Sequence, residues 1–178
     1  MEIIETPFEG LLVLQTVNFQ DNRGGFQKLF NYDFFKDNGL DCDFKEFYYS
    51  VNKANVVRGM HFQTPPFDHT KVVYVSKGRI KDVVVDIRQK SATYGKCFSI
   101  ELDDQQGKYL YIPKGFAHGF VSLEDGSIVN YAQTTCYAKD NDCGIDATSI
   151  GFDWGIENPI RSGRDLTFEK LTDFNSPF

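Results

Sequence analysis

Short apolar runs recur along the chain and are separated by turn residues, a pattern that predicts many brief β-strands. Most of the runs are rich in β-branched and aromatic residues, which favour strands. We predict strands over residues 11–17, 26–30, 44–51, 56–60, 71–76, 80–87, 98–102, 109–112, 116–122 and 128–134. Evenly spaced short strands with glycine-containing turns are typical of an all-β sandwich or small barrel.

Glycines mark several of the predicted turns. Residues 21–25 form a turn cluster whose two glycines permit positive φ, and Lys77-Gly78 predicts a hairpin between the strands on either side. Residues 31–40 are the only helix candidate, and Gly39 would end that helix. After Ile145 the pattern loosens, which indicates loops with room for one short helix.

Length and charge narrow the class of protein. The chain has 178 residues, so we expect a single domain spanning 1–178 with a sizeable core. It carries 19 basic and 25 acidic residues, a net charge of −6. Nucleic acids and anionic membranes attract basic surfaces, so neither is an expected partner.

The cysteines and the N-terminus favour a cytoplasmic location. None of the 4 cysteines forms a CxxC pair, which argues against a zinc finger or a redox motif. The N-terminal segment MEIIETPFEG does not resemble a signal peptide, and no run of about 18 apolar residues is present. We therefore expect reduced thiols and a cytoplasmic protein.

One predicted strand carries an unusual number of polar residues. In the segment VVRGMHFQ, regular alternation places His61 and Gln63 on one face and Arg58, Met60 and Phe62 on the other. A histidine in a strand is more often a core or surface residue than a catalytic one. His61 becomes a candidate only in combination with other polar groups, and Gln63 is then a candidate substrate contact beside it.

Other polar residues complete a set suited to proton transfer. Lys71 begins an apolar strand, His118 lies within GFAHGF, and Tyr131 lies on a late strand. If these strands close into a barrel, inward side chains meet in an aromatic cavity. An imidazole can take a proton near neutral pH, an ammonium can stabilise a developing enolate, and a phenol can return a proton.

A metal site is the competing interpretation of the histidines. His61, His69 and His118 are the only 3 histidines, and 3 ligands are enough for a facial metal site. However, residue 63 is glutamine, so no HxH spacing is present, and His69 follows a proline-containing loop. We therefore expect no functional metal and no cofactor.

Taken together, the motifs of the chain resemble those of the dTDP-4-dehydrorhamnose 3,5-epimerase family, within the cupin superfamily. The resemblance extends from Asp21 to about Leu171. The motifs are DNRGGF (21–26), VVRGMHFQ (56–63), KVVYVSKGRIKDVVVDIRQKSATYG (71–95), IPKGFAHGF (112–120), YAQTTCY (131–137) and SGRD (162–165).

The resemblance implies a cupin-type jelly-roll β-barrel with a few short peripheral helices, usually assembled as a homodimer. The implied substrate is a nucleotide-diphospho-4-keto-6-deoxyhexose, epimerised at C3, C5 or both. By resemblance, His61 is the base and Asp165 the carboxylate that orients it. Lys71 would stabilise the C4 enolate, and Tyr131 would act as the acid on the far face.

The resemblance also implies contacts to the nucleotide. Arg23, Arg58 and Arg164 match basic positions near the diphosphate, and guanidinium groups suit phosphate oxygens. His118 matches a residue near the sugar and phosphate, and Tyr137 an aromatic residue that stacks on the pyrimidine. Asp142 stands where the family tends to have Glu.

Three residues depart from the family pattern. Lys28 replaces a usual Glu, and in the QxNxS pattern Glu46 replaces Gln and Tyr48 replaces Asn. We expect all three at the nucleobase end of the site. Lysine donors and carboxylate acceptors suit the edge of cytosine, so a CDP-sugar is a hypothesis beside the dTDP-sugar. The alternative explanation of the change is a Lys28–Glu46 salt bridge.

Three further interpretations of the site remain open. They are a 3,4-ketoisomerase of a nucleotide-linked keto sugar, a metal-dependent cupin such as a dioxygenase, and a non-catalytic sugar-nucleotide-binding barrel. The favoured interpretation is an isomerase that supplies a deoxysugar for surface polysaccharide, such as the O-antigen of lipopolysaccharide.

Overall fold

Antiparallel β-strands account for nearly all the regular structure. A computed structural model describes all residues from 1 to 178. The strands are β1 (Glu2–Glu5), β2 (Leu12–Gln15), β3 (Asn18–Asp21), β4 (Gly24–Gln27), β5 (Glu46–Asn52), β6 (Val57–Gln63), β7 (Lys71–Lys77), β8 (Arg79–Asp86), β9 (Cys97–Asp103), β10 (Lys108–Ile112), β11 (Phe116–Ser122), β12 (Ser127–Gln133) and β13 (Asp142–Gly144). Helix α1 spans Tyr32–Asp37, and a 3-10 helix spans Asp165–Thr167.

The strands form two large sheets and one small one. The larger sheet has six strands in the order β1-β2-β10-β7-β12-β5, and the second has five in the order β13-β6-β11-β8-β9. Strands β3 and β4 pair only with each other and form a separate hairpin. Strands β5 and β9 therefore each end a sheet with one unpaired edge.

The hydrophobic core is arranged in three layers. The middle layer joins the inner faces of both sheets and includes Val73 and Val129 from one sheet and Val84 and Phe120 from the other. The C-terminal segment covers the outer face of the five-stranded sheet, where its residues pack around Trp154. Helix α1 and the following loop cover part of the six-stranded sheet. The outer face of the five-stranded sheet is therefore covered, whereas the outer face of β5 in the six-stranded sheet stays exposed.

The all-β prediction is confirmed, with differences at some element ends. Each predicted strand is present, and α1 lies inside the predicted helix, beginning where the side chain of Asn31 accepts a hydrogen bond from the backbone N–H of Phe34 at 2.9 Å. The strand predicted at 26–30 instead begins at Gly24, because the glycines of the predicted turn extend the hairpin. Strands β1, β3 and β13 were not predicted, since each has only three or four residues.

Two glycines allow β6 and β11 to approach closely. Gly59 has φ +123°, and a Cβ there would lie 2.5 Å from Cα of Gly119. At this point two residues of β6, Gly59 and Met60, lie opposite the single residue Gly119 of β11, a β-bulge that shifts the register. The predicted alternation was therefore wrong for Arg58, whose side chain lines the same cavity as His61, while Met60 packs in the outer core layer.

Candidate active site

A cavity of about 360 Å³ lies between the two large sheets and contains most of the predicted site residues. The predicted residues that line it are Glu46, Tyr48, Arg58, His61, Gln63, Lys71, His118, Tyr131, Tyr137, Asp142 and Arg164. The cavity is also lined by His69, Ser50, Phe120 and Gln133. The barrel thus brings together groups from six strands and three loops.

His61 is held by a buried carboxylate behind it. The Nε2 of His61 lies 2.9 Å from Oδ1 of Asp165, which is only 3% exposed. The backbone N–H of Gly59 donates to the other carboxylate oxygen at 3.1 Å. Burial alone would raise the pKa of Asp165, but the hydrogen bonds from His61 and Gly59 outweigh it and lower this pKa. An ionised Asp165 accepts from Nε2 and leaves Nδ1 of the imidazole free to take a proton.

An aromatic side chain packs against this histidine. The ring of Phe168 meets the ring of His61 edge to face, with the centroids 5.7 Å apart. A Cβ at Gly144 would lie 2.2 Å from the Phe168 ring, so this glycine provides the space for that ring. The guanidinium of Arg164 lies 5.1 Å from the centroid of the same ring.

Lys71 is the buried cation of the cavity. Burial lowers its pKa to about 8, and the nearby carboxylates of Asp82 and Asp142 oppose the change. Asp82 accepts a hydrogen bond from Nε2 of His118 at 2.8 Å, and its second oxygen has no hydrogen-bond partner. Burial also lowers the pKa of His118, although the hydrogen bond to Asp82 opposes this.

Tyr131 lies on β12 with its hydroxyl near β5. Its Oη is 3.2 Å from Oγ of Ser50, and its ring is stacked on Tyr48 with centroids 4.6 Å apart. Burial raises the pKa of Tyr131, so the phenol keeps its proton near neutral pH. A protonated phenol in this position can serve as an acid.

Glu46 is held in place by hydrogen bonds within the cavity. Its Oε2 accepts from Nε2 of Gln133 at 2.7 Å and from the backbone N–H of Tyr137 at 2.9 Å. The hydroxyl of Tyr48 donates to Oε1 of Gln133 at 3.2 Å. Glu46 makes no salt bridge to Lys28, so that alternative explanation of the two departures was wrong for a single chain.

The side chain of Gln63 forms hydrogen bonds to the surrounding backbone. Its side-chain oxygen accepts from the N–H of Ala138 at 2.7 Å, and its amide nitrogen donates to the carbonyl of Phe67 at 2.8 Å. Gln63 therefore holds two loops together at the cavity wall.

Two predicted nucleotide contacts form an ion pair with each other. Arg164 and Asp142 pair at 2.7 Å, and the arginine side chain is 46% exposed. Nε of Arg58 donates to Oδ1 of Asn52 at 2.7 Å, which orients its guanidinium along the cavity wall. Both arginines line the cavity with hydrogen-bond donors to spare.

Arg23 and Lys28 do not reach the cavity of their own chain. Arg23 lies at the tip of the β3–β4 hairpin, where it pairs with Asp21 at 2.6 Å and is largely exposed. Lys28 follows the same hairpin and is also exposed. In a single chain neither residue lines the cavity, because β3 and β4 pair with each other and with no strand of the barrel. That Arg23 and Lys28 contact the nucleotide therefore stays a prediction.

Several cavity residues were not found from the sequence. Gln133 could have been found by alternation, since it follows Tyr131 by two residues on β12. Asp82, which does not line the cavity but accepts a hydrogen bond from His118, lies in the apolar run of β8, where a buried carboxylate is itself a signal. Ser50 could have been found in the same way, since it follows Tyr48 by two residues on β5. His69 was considered only as a metal ligand, because it lies in a loop whose neighbours in space are distant in sequence.

Burial lowers the pKa of His69 to about 3, with Lys71 adding to the effect. The three histidines all line the cavity, but no group of three or more His, Cys, Asp or Glu side chains is arranged to hold a metal ion.

No helix of the chain is long and apolar enough to cross a membrane.

Two facing antiparallel sheets around a polar, aromatic cavity define a cupin-type β-barrel, and solved structures of that type share this fold. The sequence profile of the dTDP-4-dehydrorhamnose 3,5-epimerase family matches residues 5–173. The chain belongs to this family, and the resemblance inferred from its motifs is confirmed.

Similar proteins include named epimerases of nucleotide-linked sugars. The dTDP-4-dehydrorhamnose 3,5-epimerase of Methanothermobacter thermautotrophicus is 40% identical over 175 residues, covering 96% of this chain and 94% of the relative. The Bacillus anthracis enzyme, solved with TDP and PPi bound, has a TM-score of 0.91 at 32% identity, covering 95% and 98% of the two chains. The dTDP-6-deoxy-D-glucose-3,5-epimerase of Legionella pneumophila, solved in complex with dTDP-4-keto-L-rhamnose, has a TM-score of 0.92 at 29% identity, covering 98% and 94% of the two chains.

Proposed function

We propose that this protein epimerises C3, C5 or both of a nucleotide-diphospho-4-keto-6-deoxyhexose by proton transfer through an enolate. One observation carries the proposal. His61 lies on the five-stranded sheet, whereas Lys71 and Tyr131 lie on the six-stranded sheet across the same cavity. A sugar bound between the sheets meets a base on one side and an acid on the other, which is the arrangement that inversion of a carbon requires.

The base in this proposal is His61. The 4-keto group acidifies the hydrogens on C3 and C5, so a neutral imidazole at close range can remove one of them. The C–H bond breaks, its electron pair enters the enolate, and the proton goes to Nδ1 of His61. The ionised Asp165 stabilises the imidazolium that results.

The enolate in this proposal is stabilised by Lys71. Negative charge develops on the C4 oxygen, and a buried ammonium stabilises it more strongly than an exposed one would. A lysine whose pKa is about 8 is still mostly protonated at pH 7 and can also lend a proton to the oxygen. Tyr131 then protonates the carbon from the face opposite His61.

The nucleotide in this proposal binds along the open side of the cavity. Arg58, Arg164 and His118 supply the donors for the diphosphate, and Tyr137, which is 59% exposed, supplies a ring for the base. The family relation favours a dTDP-sugar. A CDP-sugar is the second candidate, because Glu46 offers an acceptor to an amino group.

Calorimetry decides between the two nucleotides. We expect tighter binding of dTDP than of CDP to the intact protein. Tighter binding of CDP would establish the second candidate, and the Glu46→Gln variant, which restores the residue of the family pattern, should then lose that preference.

We further propose that the enzyme is a homodimer. The outer face of edge strand β5 exposes Phe47 and Tyr49, and the β3–β4 hairpin exposes Phe19 and Phe26. An exposed strand edge beside exposed aromatic residues is a site for pairing with another chain. If the hairpin of a second copy adds to β5, it brings a second chain's Arg23 and Lys28 toward the end of the cavity at Glu46.

The domain organisation, cellular location and biological role are also matters of proposal. We propose one domain over residues 1–178, a cytoplasmic location, and a role in making a deoxysugar for surface polysaccharide such as the O-antigen of lipopolysaccharide. The substrate is a nucleotide-linked metabolite, which agrees with such a place in metabolism.

The experiment that tests the function is incubation with dTDP- and CDP-4-keto-6-deoxyglucose in D₂O, followed by NMR of the sugar. We expect deuterium at C3, C5 or both, with inverted configuration and activity that survives chelation. A ketone moved from C4 to C3 would instead identify a ketoisomerase. Loss of activity on chelation would identify a metal-dependent cupin, and binding without exchange a non-catalytic protein.

A further inference from the structure

The acid proposed for the reaction is held on three sides. The ring of Tyr131 is stacked on the ring of Tyr48, with centroids 4.6 Å apart and an interplanar angle of 18°. His118 meets its edge at 6.3 Å and 69°, and Ser50 lies 3.2 Å from its hydroxyl. Tyr131 is 7% exposed and Tyr48 is 42% exposed, so Tyr48 covers Tyr131 on the side nearer to solvent.

The strand register explains this stack. Tyr48 on β5 is directly opposite Tyr131 on β12, and Glu46 is directly opposite Gln133 in the same pair of strands. Aromatic residues opposite each other on antiparallel strands pack face to face or edge to face and stabilise each other's orientation. The family pattern has Asn at this position, so the aromatic stack is a feature of this chain rather than of the family pattern.

Hydrogen bonds fix Tyr48 at its other end. Its hydroxyl donates to Gln133, Gln133 donates to Glu46, and Glu46 also accepts from the backbone N–H of Tyr137. The stacking ring is therefore tied to the wall of the cavity rather than free to turn. The family pattern predicts Tyr48 at the nucleobase end of the site, and the structure adds that its ring lies against Tyr131.

We propose that Tyr48 is a positioning residue that holds Tyr131 in the orientation needed to return a proton to the far face of the sugar. This rests on the proposed function, because it concerns the fate of the enolate. Protonation by His61 restores the original configuration, whereas protonation by Tyr131 inverts the carbon. The orientation of the Tyr131 hydroxyl thus decides between exchange without inversion and epimerisation.

On each path the proton that leaves carbon and the proton that returns to it are both accounted for. On the inverting path His61 gains one proton from carbon and Tyr131 loses one to carbon, and both groups return to their starting states by exchange with water. On the non-inverting path the proton on His61 exchanges with solvent and returns to the same face. In D₂O both paths place deuterium on carbon, but only the first one changes the configuration.

The test measures the ratio of deuterium incorporation to inversion in D₂O for the full-length protein. In Tyr48→Ala the ratio should rise about tenfold toward the value for Tyr131→Phe, since general acid catalysis contributes about 10²–10⁴-fold. Tyr48→Phe keeps the stacked ring and loses only the hydrogen bond to Gln133, so its ratio should rise less than that of Tyr48→Ala. Tyr94→Asn, a surface tyrosine outside the cavity, is the control.

Failure of the proposed function and failure of the role of Tyr48 give different results. If the unsubstituted protein incorporates no deuterium, the proposed function fails. If it does, and Tyr48→Ala keeps the original ratio at any overall rate, the role of Tyr48 is refuted. Should Tyr48→Ala not fold, as judged by circular dichroism, Tyr48→Leu retains apolar bulk without a planar ring and must show the same rise in the ratio.

Discussion

Nε2 of His61 lies 2.9 Å from Oδ1 of Asp165, although 104 residues separate them along the chain. The 3-10 helix that carries Asp165 packs beside β6, so the carboxylate reaches the back of the imidazole rather than the cavity. A histidine that takes up a proton needs such a partner, because the carboxylate selects the tautomer and stabilises the charge.

Replacing this carboxylate should slow proton abstraction without preventing binding. We expect Asp165→Asn to reduce the rate of deuterium exchange on the order of 10²-fold, within the range for general acid–base catalysis. The measurement is the initial rate of exchange by NMR, together with calorimetric titration of dTDP. Asp153→Asn, on the surface, is the matched control. An unchanged exchange rate in Asp165→Asn would remove His61–Asp165 from the mechanism.

Activity should fall as pH rises through about 8, because the lysine proposed to stabilise the enolate then loses its proton. The profile of kcat/KM against pH reports groups of the free enzyme and is the quantity to measure. In Lys71→Arg the alkaline limb should move upward by two units or so, because a guanidinium stays charged across this range. A limb that stays near pH 8 in this variant would assign it to another group.

The same lysine should make stability depend on pH. Burial lowers its pKa from 10.5 to about 8 in the folded protein, so the unfolded chain binds more protons between these values. The free energy of unfolding should therefore rise from pH 8 to pH 10.5, and the lysine should destabilise the fold below pH 8. Lys71→Met should raise Tm at pH 7, by an amount corresponding to on the order of 3 kcal/mol. Urea titration of both proteins at pH 7 and 10 checks this, and the difference should shrink at the higher pH.

The contact between β6 and β11 should not tolerate a side chain. Gly59→Ala would place a Cβ 2.5 Å from Cα of Gly119 at a residue with φ +123°, so backbone must move. We expect destabilisation on the order of 3 kcal/mol or an unfolded product. Gly151→Ala is the control, because Gly151 also has positive φ (+70°) but has open space around it. Equal Tm losses in the two variants would show that backbone strain alone matters.

The proposed dimer makes a prediction about the hairpin. Phe19→Asp combined with Phe26→Asp introduces charge on two exposed rings whose centroids are 6.5 Å apart. We expect this protein to elute as a monomer in size-exclusion chromatography with light scattering, whereas Ile4→Asp on the opposite edge strand stays dimeric. A dimer that persists in the double variant would place the interface elsewhere.

Most of the strands could be predicted from the sequence, because alternation and glycine-containing turns are patterns of residues that are neighbours in the chain. Strand β12, for example, follows from its apolar run and from the turn before it. The short strands β1, β3 and β13 were not predicted, since a run of three or four residues shows too little periodicity. The face of β6 on which Arg58 lies was predicted wrongly for a different reason, since the bulge at Gly59 depends on how closely β11 approaches.

By itself the sequence determined the all-β class and the motifs that mark the family, because strand periodicity and residue types at fixed spacing are properties of the chain. Only the tertiary structure decided that Tyr48 covers Tyr131, that Arg58 lines the cavity, and that Arg23 lies outside the cavity of its own chain. These relations depend on register, on a bulge and on which sheet each strand joins. Contacts between distant segments fix them, and no local pattern encodes such contacts.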